Sequence, residues 1–320
     1  MSKSQLFIIS RGRVMECAVR EPVVWETSRV NAPGKLTFDV MNDDNLGFFE
    51  GDAVRFEYDG KKIFFGYVFI KKRTNNRIIS VTAYDQLRYF KNKKTYNYTG
   101  KTASEVLQMI ISDFRLKGGA ISNSGFKIAS RIEDNQELFT IMQNATAITT
   151  NSTGKLYHMY DNYGVIDYKE INEMKLDLLI DESSGETFEY TSSIDASTYN
   201  QIVVTRENKK DNKREVYIAK DTGTQNDWGI LQLNETLQEG ENGQVKADTL
   251  LKLYNQKTRN LHLNKIFGDT RVRAGSIVGV QLYLGDISVN NFMVVETAKH
   301  SFYNGRHDMD LKVVGGEFVA

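Results

Sequence analysis

The dipeptide Asp59-Gly60, set between Arg55-Phe56-Glu57-Tyr58 and Ile63-Phe64-Phe65, constrains the fold of this chain more than any other short stretch. A two-residue hairpin loop needs positive φ at both central positions, and Asp-Gly supplies that at small cost. On the strand leading into it, Val54, Phe56 and Tyr58 alternate with Arg55, Glu57 and Asp59, so one sheet face is buried and the other wet. The same pattern predicts strands at 6–10, 14–19, 35–40, 53–58, 62–71 and 78–84. Only 2 prolines stand against 24 glycines, so the chain turns at Gly and Asx positions, as hairpin-rich β proteins do.

Near residue 99 the period changes. Thr102-Ala103-Ser104-Glu105 has the form of a capping box, in which the hydroxyl and the carboxylate satisfy each other's orphan amides. Val106, Ile110 and Phe114, flanked by Leu107 and Ile111, then predict a helix that stops before Gly118-Gly119. A second helix is expected over 135–146, and strands over 155–160 and 165–168 about the turn Asp161-Asn162-Tyr163-Gly164. Strands return from 186, with a charged loop at 207–213, a third helix at about 244–260 and closing strands at 276–284, 292–300 and 308–314. The expected fold is therefore mainly β with an α+β insertion: a first β domain over 1–97, a small α+β domain over 98–182 and a second β domain over 183–320. Each β domain is expected to be a barrel or sandwich.

The end of the chain echoes its beginning. Gly51-Asp52-Ala53-Val54-Arg55-Phe56 matches Gly275-Ser276-Ile277-Val278-Gly279-Val280 in pattern. The run 66–72 is echoed by 292–299, and 78–82 by 309–313. Two similar β domains per chain would let a trimer present six similar units around its axis.

Several classes of chemistry are excluded or left without support. Lys plus Arg and Asp plus Glu both number 41, which argues against general affinity for nucleic acid or a membrane surface. The single cysteine, Cys17, allows no intrachain disulfide and reads as a small buried hydrophobe. Leu6 to Ile9 is too short for a signal-peptide core and no stretch approaches a membrane span, so synthesis and assembly in a cytoplasm are expected. Gly100-Lys101-Thr102 is no phosphate-binding loop, since that motif needs a glycine where Thr95 stands; it reads as a turn and helix cap. His158, His262, His300 and His307 lack ligand spacing, and His300 and His307 read as solvated hairpin residues beside Asp308 and Asp310. Glu133 and Asp134 read as negative charge at the N-terminus of the second helix. The basic, aromatic stretch 88–96 reads as aromatics packed beneath a connector with lysines left in water. No cofactor or metal is expected, and no catalytic residue.

The run Gly60-Lys61-Lys62-Ile63-Phe64-Phe65-Gly66-Tyr67-Val68-Phe69, followed by Thr82-Ala83-Tyr84-Asp85-Gln86-Leu87-Arg88-Tyr89-Phe90-Lys91-Asn92-Lys93, resembles the XkdQ/YqbQ-type baseplate hub proteins of contractile phage tails, PBSX-like defective prophages and R-type bacteriocins. The order of the following segments agrees with that resemblance along nearly the whole chain. It implies tube-type β domains arranged as a homotrimeric, pseudo-hexameric ring. The implied partners are the tail tube protein, the central spike, other baseplate proteins and the tape measure protein, with no specific nucleic acid and no membrane insertion. The implied location is a virion or bacteriocin particle assembled in the bacterial cytoplasm. The long polar hairpin tips are the expected contact points: Lys71, Lys72, Arg73 and Asn75 in the first, and His300, Phe302, Tyr303 and Arg306 in the second. Two other classes stay open on residues alone, a peptidoglycan hydrolase using acids of the middle domain and a cell-wall or glycan-binding tail protein.

Overall fold

The structure is a computed structural model, and it describes residues 4–42, 46–73, 77–195, 198–208, 213–237, 242–283 and 288–315. The first stretch is all strand: β1 (Ser4–Ser10), β2 (Arg13–Glu16), β3 (Val19–Ser28), β4 (Lys35–Met41), β5 (Ala53–Tyr58), β6 (Lys61–Arg73) and β7 (Ile78–Tyr84). Asp59 and Gly60 both take positive φ, 51° and 70°, so β5 and β6 close as the dipeptide requires.

A 3-10 turn, Gln86–Lys91, then leads to β8 (Lys93–Lys101), α1 (Ala103–Asp113), β9 (Gly118–Ile121), β10 (Ile128–Glu137), α2 (Leu138–Thr153), β11 (Tyr157–Asp161) and β12 (Ile166–Glu170). The capping box at Thr102 and Glu105 is fully formed. Helix α2 starts later than its apolar pattern suggests, because β10 pairs with β8 as far as Glu137, and it runs on to a left-handed cap at Gly154, φ 71°. Leu107, Ile110, Leu138, Ile141 and Ile166 make the centre of this part's core. Phe90 and Tyr96 are buried there while Lys91, Lys93 and Lys94 stay exposed, the arrangement expected of the basic, aromatic stretch.

After β13 (Lys175–Asp181) and β14 (Gly185–Ser193) come β15 (Gln201–Asn208), β16 (Lys213–Lys220), α3 (Thr222–Trp228), β17 (Gln232–Thr236) and α4 (Gly243–Tyr254). The chain closes with β18 (Thr258–Phe267), β19 (Ile277–Tyr283), β20 (Ser288–Tyr303) and β21 (Arg306–Val314). Helix α4 ends before its expected limit because the run from Thr258, in which buried Leu261 and Leu263 alternate with more exposed residues, joins a sheet. Helix α3 had no apolar stripe to announce it; Asp221 caps it by accepting from the Thr224 amide at 3.0 Å.

By spatial contact the chain forms two units, one of residues 1–189 with 262–320 and one of residues 190–261. The smaller unit is the three-stranded sheet β16-β15-β17 with α4, around Ile202, Val204, Ala219, Leu237 and Ala247. The strand path β14-β18-β21-β20-β3-β4-β7-β6-β5-β1-β2 joins the two ends of the sequence in one 13-stranded sheet, with β13 and β19 off the path; all but the far ends of β14 and β18, residues 190–193 and 258–261, lies in the larger unit. This path is open at β2 and β14, so among the described residues no barrel closes. Leu6, Ile8, Leu36, Val54, Phe56 and Ile79 fill one face of it, as their alternation predicts.

Candidate assembly interface

The echo between the two ends of the chain is carried into atomic detail. Gly51 and Gly275 both have positive φ, 93° and 87°. Each opens a strand: the Gly51 amide donates to the Val68 carbonyl (2.8 Å), and the Gly275 amide to the Val295 carbonyl (2.8 Å). The Val68 amide returns a bond to the Asp52 carbonyl and the Val295 amide to the Ser276 carbonyl, each at 2.9 Å. Even the side-chain cap repeats. Asp52 accepts from the Phe49 amide (2.7 Å), and Ser276 from the Arg273 amide (3.1 Å). A bulge follows in each half, between Val68 and Ile70 on β6 and between Val295 and Thr297 on β20. The pattern read from the sequence is thus real, although the structural match sets Val68 against Val295, one residue along from where residue type alone placed it.

The repeat extends outward. The Asn42 amide donates to the Arg77 carbonyl and the Gly268 amide to the His307 carbonyl, both at 2.8 Å, which makes β4 the counterpart of β18. The Met41 amide donates to the Ala18 carbonyl (2.9 Å) and the Phe267 amide to the Ser184 carbonyl (3.0 Å), which makes β3 the counterpart of β14. One half is therefore β3-β4-β7-β6-β5 and the other β14-β18-β21-β20-β19, in the same strand order.

The halves are joined where β3 pairs with β20, from Val23 opposite Phe302 to Ser28 opposite Thr297. The Arg29 amide extends that pairing to the Glu296 carbonyl (2.9 Å), and the two side chains form an ion pair. Beneath the joint, His300 lies 5.0 Å from Trp25 between ring centroids, His307 stacks on Phe302 at 4.2 Å, and His300 Nδ1 and His307 Nε2 share a hydrogen bond of 2.9 Å. Burial holds both imidazoles neutral, pushing His300 down to about 3 and His307 to about 4. The expectation of solvated histidines is overturned: His300 is wholly buried, because β20 is paired on both sides at that point.

A second buried polar group ties the α+β part to the sheet. Arg273 Nη2 donates to the Asp161 carbonyl (2.9 Å), and the guanidinium lies 4.3 Å from the Tyr160 ring centroid. Asp85 accepts from the amides of Gly34 (2.8 Å) and Leu87 (2.9 Å), while Asp161 accepts from Gly164 (2.6 Å). Gln86 reaches the Gly164 carbonyl at 2.6 Å. Desolvation raises the Asp85 carboxyl well above its ordinary range and Asp161 to about 6, against the attraction of Arg273. His158, enclosed nearby, is pushed down by burial to about 3. Among the described residues no group of three or more His, Cys, Asp or Glu side chains is placed to hold a metal ion. Nor is any helix long and apolar enough to cross a membrane.

The residues expected to make contacts fall in different places. Lys71, Lys72 and Arg73 end β6; Lys72 and Arg73 are exposed, while the Lys71 ammonium sits 4.2 Å from the Phe48 ring centroid and donates to the Phe48 carbonyl. Asn75 lies outside the described residues. His300 and Phe302 belong to the joint inside the chain, which leaves Tyr303 and Arg306 at the surface of that hairpin, with Arg306 donating to Asp308 (2.7 Å). Glu133 is not at a helix end: it is buried, paired with Arg131 (3.0 Å) and accepting from Asn144 on α2 (2.9 Å). Asp134 instead accepts from Thr95 (2.9 Å). Sequence reasoning missed Arg273 altogether, since its partners lie more than a hundred residues away.

A family model described as YQBQ-like matches residues 23–314. Two proteins of Bacillus subtilis (strain 168) align with 97% of this chain and 96% of their own length: the phage-like element PBSX protein XkdQ at 28% identity, and the uncharacterized protein YqbQ at 27%. Among solved structures, the 43 kDa tail protein of prophage MuSo2 from Shewanella oneidensis superposes with a TM-score of 0.70 at 10% identity, covering 97% of this chain and 98% of that one. The E. coli c3393 protein, a type VI secretion component with structural similarity to the T4 bacteriophage tail proteins gp27 and gp5, gives a TM-score of 0.58 at 8% identity, over 98% of this chain and 77% of that one.

Proposed function

The chain belongs to the YQBQ-like family, and on that footing we propose that it is a structural subunit of a phage-type tail baseplate, working as the hub. Three copies form a pseudo-hexameric ring that joins the tail tube to the central spike and nucleates baseplate assembly. The partners are further copies of the chain, the tube and spike proteins, other baseplate proteins and the tape measure protein, in a virion or bacteriocin particle assembled in the bacterial cytoplasm. The chain acts by binding and performs no catalysis.

The observation that carries this reading is the repeat. Two halves with the same strand order, the same glycine-opened turn and the same bulge give six comparable units in three copies. That number suits a part which mates a six-fold tube to a three-fold spike. The tail-protein relatives support the same reading. Read as an assembly unit, the chain divides by sequence pattern into tube-type β domains at 1–97 and 183–320 around the α+β part at 98–182.

Light scattering on the purified chain tests the proposal. A trimer of the 36.5 kDa chain has three times that mass, about 110 kDa, and is expected alone or on mixing with tube or spike subunits. Charge reversal at Lys71, Lys72 and Arg73 together should leave the far-ultraviolet circular dichroism unchanged and reduce ring formation. A persistent 36.5 kDa species with every partner overturns the ring.

A further inference from the structure

Resting on the ring reading, we propose which strands make the joint between copies: the open edge of β6 beyond Val68 in one copy pairs with the outer edge of β14 in the next. The chain already contains one such joint. Its β20 carries a bulge after Val295, and beyond that bulge the strand is paired on both sides, with β21 and with β3. Strand β6 carries the same bulge after Val68, and beyond it pairs with β7 on one side. Among the described residues no strand pairs with its other side there. At the far end of the sheet β14, the counterpart of β3, has β18 as its one strand neighbour among the described residues. Each half therefore offers one edge of the β3 kind and one of the β20 kind. One of each is used inside the chain and one of each is left over.

The repeat also says which groups face the gap. In the internal joint the Glu296 carbonyl accepts from the Arg29 amide, and the pairing continues through Ala298 opposite Thr27 and His300 opposite Trp25. Matching Val295 to Val68 puts Phe69, Lys71 and Arg73 in those roles on β6. The two leftover edges are chemically complementary. Exposed Lys72 and Arg73 stand on one and exposed Glu189 on the other, and each edge carries an exposed apolar side chain, Ile70 (51%) and Phe188 (44%). A basic edge repels its own kind, so pairing of β6 with β6 is disfavoured and pairing with β14 is selected. A head-to-tail joint of this kind closes into a ring when its rotation repeats, and the internal joint supplies that rotation.

The test is cysteine crosslinking of the full chain in a Cys17→Ser background. Arg73→Cys is combined in turn with Thr187→Cys, Phe188→Cys, Glu189→Cys, Tyr190→Cys and Thr191→Cys, and oxidised samples are run on non-reducing gels. Disulfides need Cα atoms within about 7 Å, and side chains alternate across a sheet, so crosslinked dimers and trimers are expected at alternate positions of β14. In parallel, Arg73→Pro removes an amide from the open edge while sparing the bonds to β7. It is expected to lower the trimer fraction at least ten-fold with an unchanged urea midpoint for the monomer. A trimer that forms no crosslink at any position and survives Arg73→Pro overturns the strand assignment and leaves the ring standing. An unsubstituted chain that stays monomeric, alone and with tube subunits, overturns both.

Discussion

Mild acid is expected to destabilise this chain, by an amount the buried titratable groups set. An unfolded histidine takes up its proton near pH 6.5. In the folded chain burial holds His158 and His300 down to about 3 and His307 to about 4. The stability tied to these neutral imidazoles is complete above pH 6.5 and is lost as pH falls from there toward 4. Two carboxyl groups act in the opposite sense. Asp161 is raised to about 6, so the folded chain binds its proton first and gains stability as pH falls through 6; burial raises Asp85 as well, which acts in the same sense. Two enclosed histidines and a partly enclosed third, set against one to two carboxyl protons, leave about one proton taken up on unfolding between pH 6.5 and 5. That corresponds to about 1.4 kcal/mol per pH unit, or about 2 kcal/mol over the interval, a large share of a typical stability of about 5–15 kcal/mol. The surface carboxylates whose pKa values are lowered, such as Asp113 and Asp181, titrate below this window. Urea unfolding followed by tryptophan fluorescence, with Trp25 beside His300 as reporter, measures the slope. His300→Asn should remove one proton from the balance and flatten the curve toward zero slope. A wild-type stability that is flat or rises from pH 6.5 to 5, or a His300→Asn slope equal to the wild type's, refutes the assignment of these histidines as the acid-sensitive element.

The two repeat glycines separate backbone strain from crowding. Gly51→Ala meets open space and carries only the left-handed penalty, about 1 kcal/mol, whereas Gly275→Ala also drives a Cβ into the His158 ring and should lower the urea midpoint distinctly further. Thr102→Ala removes the hydroxyl half of the capping box at α1 and should cost about 1 kcal/mol by the same measurement.

What the sequence disclosed is local, and the reasons are physical. Asp59-Gly60 and Thr102-Ala103-Ser104-Glu105 carry their geometry within four residues, so turn and cap chemistry reads directly. The run after Tyr84 looked distinctive because Asp85 and Gln86 are buried polar residues with fixed partners, an arrangement few other side chains satisfy. Helix ends depart from the apolar pattern where a sheet takes the backbone first, as at Glu137 and Thr258. Local pattern leaves His300 in solvent, because its burial depends on β3, which lies far from it in sequence. Composition and period hold no record of such distant pairings, and the Arg273 cluster escaped notice for the same cause.

The two halves differ in one large respect, and that difference is itself testable. In the first half a short link, residues 29–34, carries the chain from β3 to β4; in the second, the counterpart strands β14 and β18 are neighbours in the sheet, yet the chain between them, residues 194–257, makes up most of the unit 190–261. That stretch has its own apolar cluster about Ile202, Val204 and Ala247, and none of its described residues belongs to the cluster about Leu6, Val54 and Phe56 in the sheet. Loop-closure cost grows only slowly with length, so an insertion of this size at a hairpin is tolerated, and so is its excision. Replacing residues 194–257 with the sequence Arg29-Val30-Asn31-Ala32-Pro33-Gly34, which leaves β14 and β18 whole, should give a soluble chain whose stability by urea unfolding lies within about 1 kcal/mol of the parent's, the range expected when independent parts are separated. In a trimer the sheet halves recur six times and the inserted unit three times, so this chain would still close a ring while losing its three-fold features. An insoluble product, or one without a cooperative transition, would show that the second half depends on its insertion and that the halves are not interchangeable modules.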